Sequence, residues 1–599
     1  MDQLSMVGNH QLAARLLGAR ERWGWEYVVP APPAPSPVHD CAPQWLGFAE
    51  PRSLERFRGR VRGIPLMLGA GVLTAAFATV LAASWGLAWW PVAAGVVLAP
   101  VAAWSALAGM QYATARRLHE TRAAEEWSRF ETAMNRWKSQ VAEHDRREQE
   151  RLAAAVRWYP VQPERDWNQV TVFGGTADGW SSLLATLGLS LLSTGSTVLI
   201  LDFTERGVAA ELATLAGTVG YGVRVDRVPR DGVVGVADLP SAQAGEMVAE
   251  VLAAMRGSPP DAARVHAVDA ELVEAVHDCL EPPRTFRRIA AGLSVLRRTF
   301  DTERHNSLSG NEIRRLNRIT ETLGSLAEEE LRFLTAALRL LGDLPAAATL
   351  EPVRPRAGLR VVATADPNAR RKHLLDGLVF ARTMHEVRAG AAATPGAVVV
   401  AGADRLDTEQ LEALARHTGR AGLRLITMSE HLRGEHTQLL GAAGSAALLM
   451  RLGNAAEAAA AADFVGRGHR FVLSQLTEQI GRSFTDGISD TTGDSVTSTV
   501  TDNYAPTSAG SSDSHSRAAT WSQTTSWSRA ENTSTGRTWA RAYEYLVEPT
   551  TFQSLPATAF VWVENEGHGR RVVAGDCNPG IALLDRVAAA PRTATAASC

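Results

Sequence analysis

Lysine is nearly missing from this sequence: Lys138 and Lys372 are the only two, and arginine supplies almost all of the positive charge. Cysteine is scarce as well. The four cysteines stand far apart with no C-x-x-C pair, a spacing that fits neither a disulfide framework nor a zinc site and indicates free thiols in a reducing compartment. The net charge of -3 over 599 residues argues neither for nor against a nucleic-acid partner.

Charged residues are absent from 63–115, and this gap is long enough to hold two membrane spans. The apolar stretches 64–83 and 89–110 each have about the 20 residues that cross a hydrocarbon core. We therefore predict a transmembrane helical hairpin over 63–110. The connecting loop is uncharged, whereas arginines flank both spans, which predicts that both termini lie in the cytoplasm. The alternative is a buried helical hairpin inside a large soluble domain.

The segments on either side of the hairpin differ in character. Residues 1–62 form a cytoplasmic N-terminal segment whose stretch 28–43 is proline-rich and predicts a loop. Residues 111–159 predict a charged juxtamembrane helix. Apolar side chains recur along it at alternating spacings of four and three, from Ala123 to Val141, as in a short heptad seam. The helix could extend the membrane span as a stalk, pack against another part of the same chain, or associate with a second copy, and these three alternatives stay open.

Beyond residue 160 the pattern changes to alternating strands and helices, which predicts an α/β fold with a mostly parallel sheet. We assign the first part of this core to 160–257 and the second part to 350–482. Between them, 258–349 is helix-rich and predicts an all-α insertion. A Ser/Thr-rich segment follows at 483–540, predicted to be a flexible loop or a partner-docking segment. A β-rich tail, 541–599, ends the chain.

The stretch "VTVFGGTADGWSSLLATLGLSLL" (170–192) has the outline of a phosphate-binding loop: a strand, a glycine-rich turn and an apolar helix. Its glycines and final hydroxyl match the G-x-x-x-x-G-K-[ST] pattern, but Trp180 replaces the lysine that would contact the β- and γ-phosphates. Ser181 is the hydroxyl that would reach Mg²⁺. The predicted cofactor-binding residues are Gly174, Gly175, Gly179, Trp180, Ser181 and Ser182.

The second motif expected of an ATPase, an acidic pair after a buried strand, is altered as well. Ala401 and Gly402 stand where the acids would hold the metal and orient water. Asp404 follows on the adjoining loop and is the nearest substitute acid. Two altered motifs in one chain predict that hydrolysis is weak or absent.

The order of these pieces resembles the FtsK/HerA superfamily of DNA-translocating ATPases, most of all the TraG/TraD-type coupling proteins of conjugation and type IV secretion. "GLRLITMSEHL" resembles a strand-end motif of the family, with Glu430 where glutamine is usual. "LGNAAEA" resembles a pattern in its last core segment, and "RRVVAGDCNPG" resembles its tail. The likeness spans residues 64 to about 585, and the two motifs that carry chemistry depart from it.

The resemblance implies a RecA-like P-loop NTPase core and a role in DNA transfer or DNA handling. It also implies a location in the bacterial cytoplasmic (inner) membrane. It implies weakly held ATP and Mg²⁺, with Asp404 and Glu430 as candidate catalytic residues. It also implies a homo- or hetero-oligomeric ring that works with DNA, an active ATPase paralogue or secretion-system components. Two alternatives stay open. One is a non-enzymatic membrane scaffold, and the other is an active enzyme in which Arg370 or Arg371 replaces the lysine.

The predicted all-α insertion is locally basic, because 284–318 holds nine arginines and three acids. Such a cluster can contact DNA phosphates or an acidic partner, or can be a solvated face that pairs with nearby acids. The candidate contact residues are Arg284, Arg287, Arg288, Arg297, Arg298, Arg314, Arg315 and Arg318.

Overall fold

The computed structural model describes residues 2–47, 49–85, 90–256, 261–301, 307–321, 325–342, 358–390, 395–441, 444–469, 543–566 and 569–592. The Ser/Thr-rich segment predicted at 483–540 lies outside these residues. The chain divides into two units, one formed by Met1–Val29 with Val156–Cys599 and the other by Pro30–Ala155.

The α-helices are α1 (Asp2–Leu16), α2 (Arg52–Ser84), α3 (Trp90–Ala154), α4 (Ala177–Ser193), α5 (Ala210–Thr218), α6 (Ser241–Arg256), α7 (Ala262–Cys279), α8 (Phe286–Leu296), α9 (Gly310–Thr320), α10 (Ser325–Gly342), α11 (Ala369–Ala389), α12 (Thr408–Arg420), α13 (Ala455–Val465) and α14 (Pro549–Ser554). The strands are β1 (Gly24–Tyr27), β2 (Trp158–Val161), β3 (Gln169–Phe173), β4 (Thr197–Asp202), β5 (Val223–Val228), β6 (Leu359–Thr364), β7 (Gly396–Ala401), β8 (Leu423–Ser429), β9 (Ser445–Leu449), β10 (Arg467–His469), β11 (Tyr543–Tyr545), β12 (Ala559–Glu566) and β13 (Gly569–Asp576).

Eleven strands form one sheet in the order β2-β1-β13-β12-β9-β3-β8-β7-β4-β6-β5. The seven strands from β9 to β5 run parallel, and the four from β12 to β2 add antiparallel pairs at one side. The predicted fold class is confirmed: the parallel part has the form of a RecA-like α/β core, with helices α6 to α10 inserted between β5 and β6.

Both faces of the parallel strands from β9 to β6 are buried, and these strands are accordingly apolar and rich in β-branched residues. The edge strand β5 alternates apolar and charged residues and is partly exposed. In β3, Val170 and Val172 pack with α4 and α5 on one face, while Phe173 belongs to the core of the other face. The loops that follow the parallel strands gather at their common carboxyl edge, where ligands bind in sheets of this kind.

The unit Pro30–Ala155 contains α2 and α3, both long and apolar enough to cross a membrane. In the most apolar 18-residue stretch of each helix, only 11% of the residues of α2 and 6% of those of α3 are buried. Large apolar side chains therefore face outward along both helices, for example Leu73 at 72% exposure and Val96 at 67%.

The proline-rich stretch lies along the charged half of α3 and covers part of the predicted seam. Trp45 packs against Trp127 and Phe130, with ring centroids 5.1 and 5.3 Å apart. Further along, the Trp137 indole donates to the Val38 carbonyl at 2.7 Å. At the far end, the Arg151 guanidinium donates to carbonyls of the same stretch. The structure thus places a segment of the same chain on this seam.

Candidate nucleotide site

The turn that follows β3 is shorter than the sequence motif requires. Gly174 and Gly175 have φ angles of +76° and +98°, which only glycine adopts without strain. Thr176 then caps α4, its hydroxyl accepting from the Gly179 amide at 3.2 Å. Because the helix already begins at Ala177, only three residues separate strand from helix, and the rest of the motif forms the first turns of α4.

The two glycine amides of this turn already have protein acceptors. The Gly174 amide donates to the Ser429 carbonyl at 2.9 Å, and the Gly175 amide donates to the Arg451 carbonyl at 2.8 Å. A phosphate cradle needs such amides to point at the ligand. In this structure they tie the turn to the ends of the neighbouring strands β8 and β9.

Trp180 occupies the space beside the turn. Its side chain is only 1% exposed and belongs to the core on the α4 face of the sheet. The indole N–H donates to the Gly174 carbonyl at 2.8 Å. A Cβ at Gly175 would lie 2.9 Å from the indole nitrogen, so the ring packs directly on that glycine. Trp180 therefore replaces the missing lysine as a packed and hydrogen-bonded core residue.

The tail of the chain covers the first turn of α4. A Cβ at Gly179 would lie 2.1 Å from the Ala557 carbonyl oxygen, so this carbonyl sits directly on the helix. Cys577 lies beside the same glycine, and its own carbonyl accepts from the Thr186 hydroxyl at 2.9 Å. Complete burial raises the pKa of the Cys577 thiol well above its usual value. The loop that precedes β12 and the end of β13 thus cover the amino end of α4.

Gly179→Ala is expected to destabilise the protein by about 1 to 3 kcal/mol, because the new methyl group would overlap the Ala557 carbonyl. Gly217→Ala in α5 is the matched control. That glycine is also helical, but a Cβ there meets open space, so alanine should be neutral or stabilise by up to about 1 kcal/mol. Thermal or denaturant unfolding of both variants checks this. If the two variants had the same stability, the close contact between Gly179 and the Ala557 carbonyl would be contradicted.

The two serines of the motif face protein groups. The Ser181 hydroxyl donates to a carboxylate oxygen of Glu211 on α5 at 3.0 Å. Ser182, the next residue of α4, is buried in the protein interior. A magnesium ion at Ser181 would have to compete with this carboxylate for the orientation of the hydroxyl.

The predicted acidic residues come together one strand further along the carboxyl edge. Gly402, with φ +83°, turns the chain after β7, and Asp404 follows in a short 3₁₀ helix. An Asp404 carboxylate oxygen accepts from the Glu430 amide at 3.1 Å. The Glu430 carboxylate pairs in turn with Arg206 from the loop after β4. In the part of the chain that the structure describes, no three His, Cys, Asp or Glu residues form a metal-ligand group.

Glu457 holds the loop that carries Glu430. It belongs to the "LGNAAEA" pattern and is buried near the start of α13. Its carboxylate accepts from the Leu432 amide at 3.2 Å and pairs with Arg433. The acidic residue of that sequence pattern therefore positions the strand-end loop.

A buried ion pair at the same edge was not predicted from the sequence. Lys372 near the start of α11 is 2% exposed, and its ammonium lies 2.5 Å from Asp376 one turn later. It also donates to the Phe203 carbonyl at 3.1 Å, while the Thr364 hydroxyl donates to Asp376. Burial lowers the pKa of Lys372 and raises that of Asp376, and their mutual attraction opposes both shifts. A lysine and an aspartate four residues apart on one helix is the signal that could have revealed it.

The arginines 370 and 371, considered as replacements for the motif lysine, begin α11 after β6. Arg371 pairs with Asp366 at 2.6 Å. In the sheet, β8, β7 and β4 separate β6 from β3, which carries the glycine turn. With neighbouring strands about 4.8 Å apart, this is a separation of nearly 20 Å.

The eight candidate arginines of the all-α insertion do not form a single surface. Three arginines satisfy protein acceptors at helix ends: Arg284 donates to the Leu280 carbonyl, Arg287 to the Gly342 carbonyl, and Arg288 to the Ser307 carbonyl and Glu312. Arg297 is half-buried and Arg298 exposed, at the carboxyl end of α8.

The remaining three arginines lie on one face of α9. Arg314, Arg315 and Arg318 line a groove of about 590 Å³ together with Asn311 and Glu281. Arg315 pairs with Glu281 at 3.3 Å, and Arg314 contacts Asn311. Of the eight predicted contact residues, these three form one continuous surface.

No protein-family model and no curated protein sequence matches the chain. Solved structures of the conjugative coupling protein TrwB are similar to it. One, in complex with sulphate, has 13% identity and a TM-score of 0.42, covering 68% of this chain and 86% of that chain. Another, with ADP and Mg²⁺, has 12% identity and a TM-score of 0.37, with 68% and 86% coverage. VirB4 of Thermoanaerobacter pseudethanolicus has 16% identity and a TM-score of 0.32, with 51% and 82% coverage.

Proposed function

We propose that this chain is a membrane-anchored, coupling-protein-like component of DNA transfer or DNA handling whose RecA-like core no longer hydrolyses ATP at residues 174–181. The observation that carries this proposal is the closed turn: Trp180 fills the space beside the glycines and bonds to one of their carbonyls. The role in DNA transfer rests on the ordered sequence likeness to coupling proteins.

Three features support the loss of hydrolysis. The turn donates its glycine amides to protein carbonyls, the Ser181 hydroxyl is held by Glu211, and Ala401–Gly402 supply no acid after β7. Catalysis of phosphoryl transfer depends almost entirely on positioning and on charge stabilisation. A turn that lacks the lysine and whose glycine amides are already bonded to protein carbonyls is poorly suited to either task, so a working partner ATPase in the same ring would provide the energy.

The membrane anchor is the α2–α3 hairpin, because its outward apolar surface needs a hydrocarbon environment. The flanking arginines then keep both termini in the cytoplasm. The α9 face with Arg314, Arg315 and Arg318 is the proposed contact for DNA or for an acidic partner protein. Asp404 and Glu430, which lie together after β7 and β8, remain the candidate catalytic acids.

Calorimetry of the full chain in detergent, titrated with ATP and Mg²⁺ with and without duplex DNA, tests the proposal. We expect no binding up to millimolar ATP, because the Gly174 and Gly175 amides and the Ser181 hydroxyl are already bonded to protein groups. Micromolar binding that Ser181→Ala weakens would place nucleotide in this turn and overturn the proposal.

A membrane scaffold without any role in DNA handling is the second candidate, and the closed turn favours it equally. DNA titrations of the same preparation separate the two. Binding that is weakened by Arg314→Gln but not by Arg332→Gln, an exposed arginine on α10, supports DNA handling. Absence of DNA binding supports the scaffold.

A further inference from the structure

A dense group of arginines lies at the open end of the α2–α3 hairpin, where α2 begins and the apolar part of α3 ends. Residues 50–62 and 111–125 hold eight arginines and four glutamates, which leaves four positive charges in a near-neutral protein. We call this group the arginine belt: Arg52, Arg56, Arg58, Arg60, Arg62, Arg116, Arg117 and Arg122. Seven of the eight are exposed, and Arg58 is half-buried.

The belt directly adjoins the apolar surface of the hairpin. Arg62 is one turn from Leu66, which is 78% exposed, and Met110, 67% exposed, is less than two turns from Arg116. From Arg52 to Arg62 the helix rises about 15 Å. The belt therefore occupies the layer where phospholipid headgroups would surround the hairpin, and the aliphatic parts of its side chains can lie along the apolar surface.

At its centre the two helices bring two guanidinium groups to one place. Arg58 and Arg116 both lie beside the Tyr112 hydroxyl. Each also meets one acid, Arg58 at 3.4 Å from Glu50 and Arg116 at 2.8 Å from Glu120. These exposed pairs are weak, whereas a phosphodiester would accept from two guanidinium forks and a phenol at once.

We propose that the arginine belt binds the phosphodiester headgroups of anionic phospholipids. This inference rests on the membrane anchor of the proposed function and adds a lipid preference to it. A lipid surface is favoured over a soluble anion because the arginines surround an apolar band on two helices rather than lining a pocket. Each arginine near an anionic surface contributes roughly a fivefold gain in affinity.

The test compares matched triple variants of the full chain in mixed micelles of phosphatidylglycerol or phosphatidylcholine. Lipid retained by the purified protein is counted by mass spectrometry. Arg56→Gln with Arg60→Gln and Arg62→Gln should lower the preference for phosphatidylglycerol at least about tenfold. The control removes the same charge further along α3, with Arg129→Gln, Arg136→Gln and Arg147→Gln, and should leave the preference intact.

An unchanged preference in the belt variant, or an equal loss in the control, would overturn the inference. Inorganic phosphate is the third arm: if it displaces phosphatidylglycerol completely, the site is one for a soluble anion. Alkaline extraction of membranes containing the same variants tests the anchor separately. A chain that resists extraction but shows no lipid preference contradicts the belt alone, whereas a chain that is released contradicts the anchor.

Discussion

Trp180→Ala is expected to lower the free energy of unfolding by about 3 to 5 kcal/mol. The side chain is 1% exposed and packs in the core between α4 and the sheet, so its removal leaves a cavity the size of an indole. The Gly174 carbonyl also loses its indole donor. Backbone contacts around the turn hold the residues that would line this cavity in place, which limits how far the cavity can collapse.

The same variant is expected not to bind ATP. The Gly174 and Gly175 amides still donate to the Ser429 and Arg451 carbonyls, and the Ala557 carbonyl still lies on Gly179. Restoring the motif lysine with Trp180→Lys should fail for the same reason and should also bury an unpaired charge. Both expectations follow from the closure of the turn rather than from the missing lysine.

Denaturant unfolding and ATP calorimetry of Trp180→Ala check the two expectations together. Trp127→Ala is the control, because it removes the same side chain where half of it is exposed. Trp127→Ala should lower the free energy of unfolding clearly less than Trp180→Ala does. If Trp180→Ala retained wild-type stability and gained micromolar ATP binding, the indole would be a removable plug over an intact phosphate cradle.

The strands of this fold were predictable because buried parallel strands are short β-branched runs bounded by turn residues. "QVTVF" forms β3, and five further β-branched runs of the predicted α/β core form β4 to β8. The closure of the turn was not predictable. Its acceptors on Ser429 and Arg451, and its cover by Ala557, come from residues more than 250 positions away.

The seam on α3 shows the same limit. Its spacing predicted an apolar stripe, and side chains along that stripe are half-buried. The spacing did not reveal what packs there. Proline-rich segments are pre-set in an extended form, so one can lie along a helix at small entropic cost. Trp45 and Val38 do so, contacting Trp127 and Trp137.

The Lys372–Asp376 pair carries the second large expected effect. Lys372→Met is expected to lower the free energy of unfolding by about 3 to 5 kcal/mol at neutral pH, because it leaves a buried carboxylate without its cation. The Thr364 hydroxyl would remain as a donor to Asp376, but one neutral hydrogen bond does not offset the lost charge. Adding Asp376→Leu should recover most of the loss, because the pair is then replaced by apolar side chains of similar volume.

The pH dependence of the Lys372→Met variant identifies the cause of its instability. Burial already raises the pKa of Asp376, and removal of the ammonium raises it further. The folded variant then binds a proton more tightly than the unfolded chain, so its deficit relative to wild type is full at neutral pH and shrinks as pH falls through the raised pKa. The free energy of unfolding measured across this pH range distinguishes loss of charge pairing from loss of packing as the cause. Arg147→Met, which breaks the exposed pair with Glu143, is the control. A deficit that stays constant with pH would mean that Lys372 acts through the packing of its aliphatic chain, and the carboxyl edge of the sheet would then not depend on a buried charge pair.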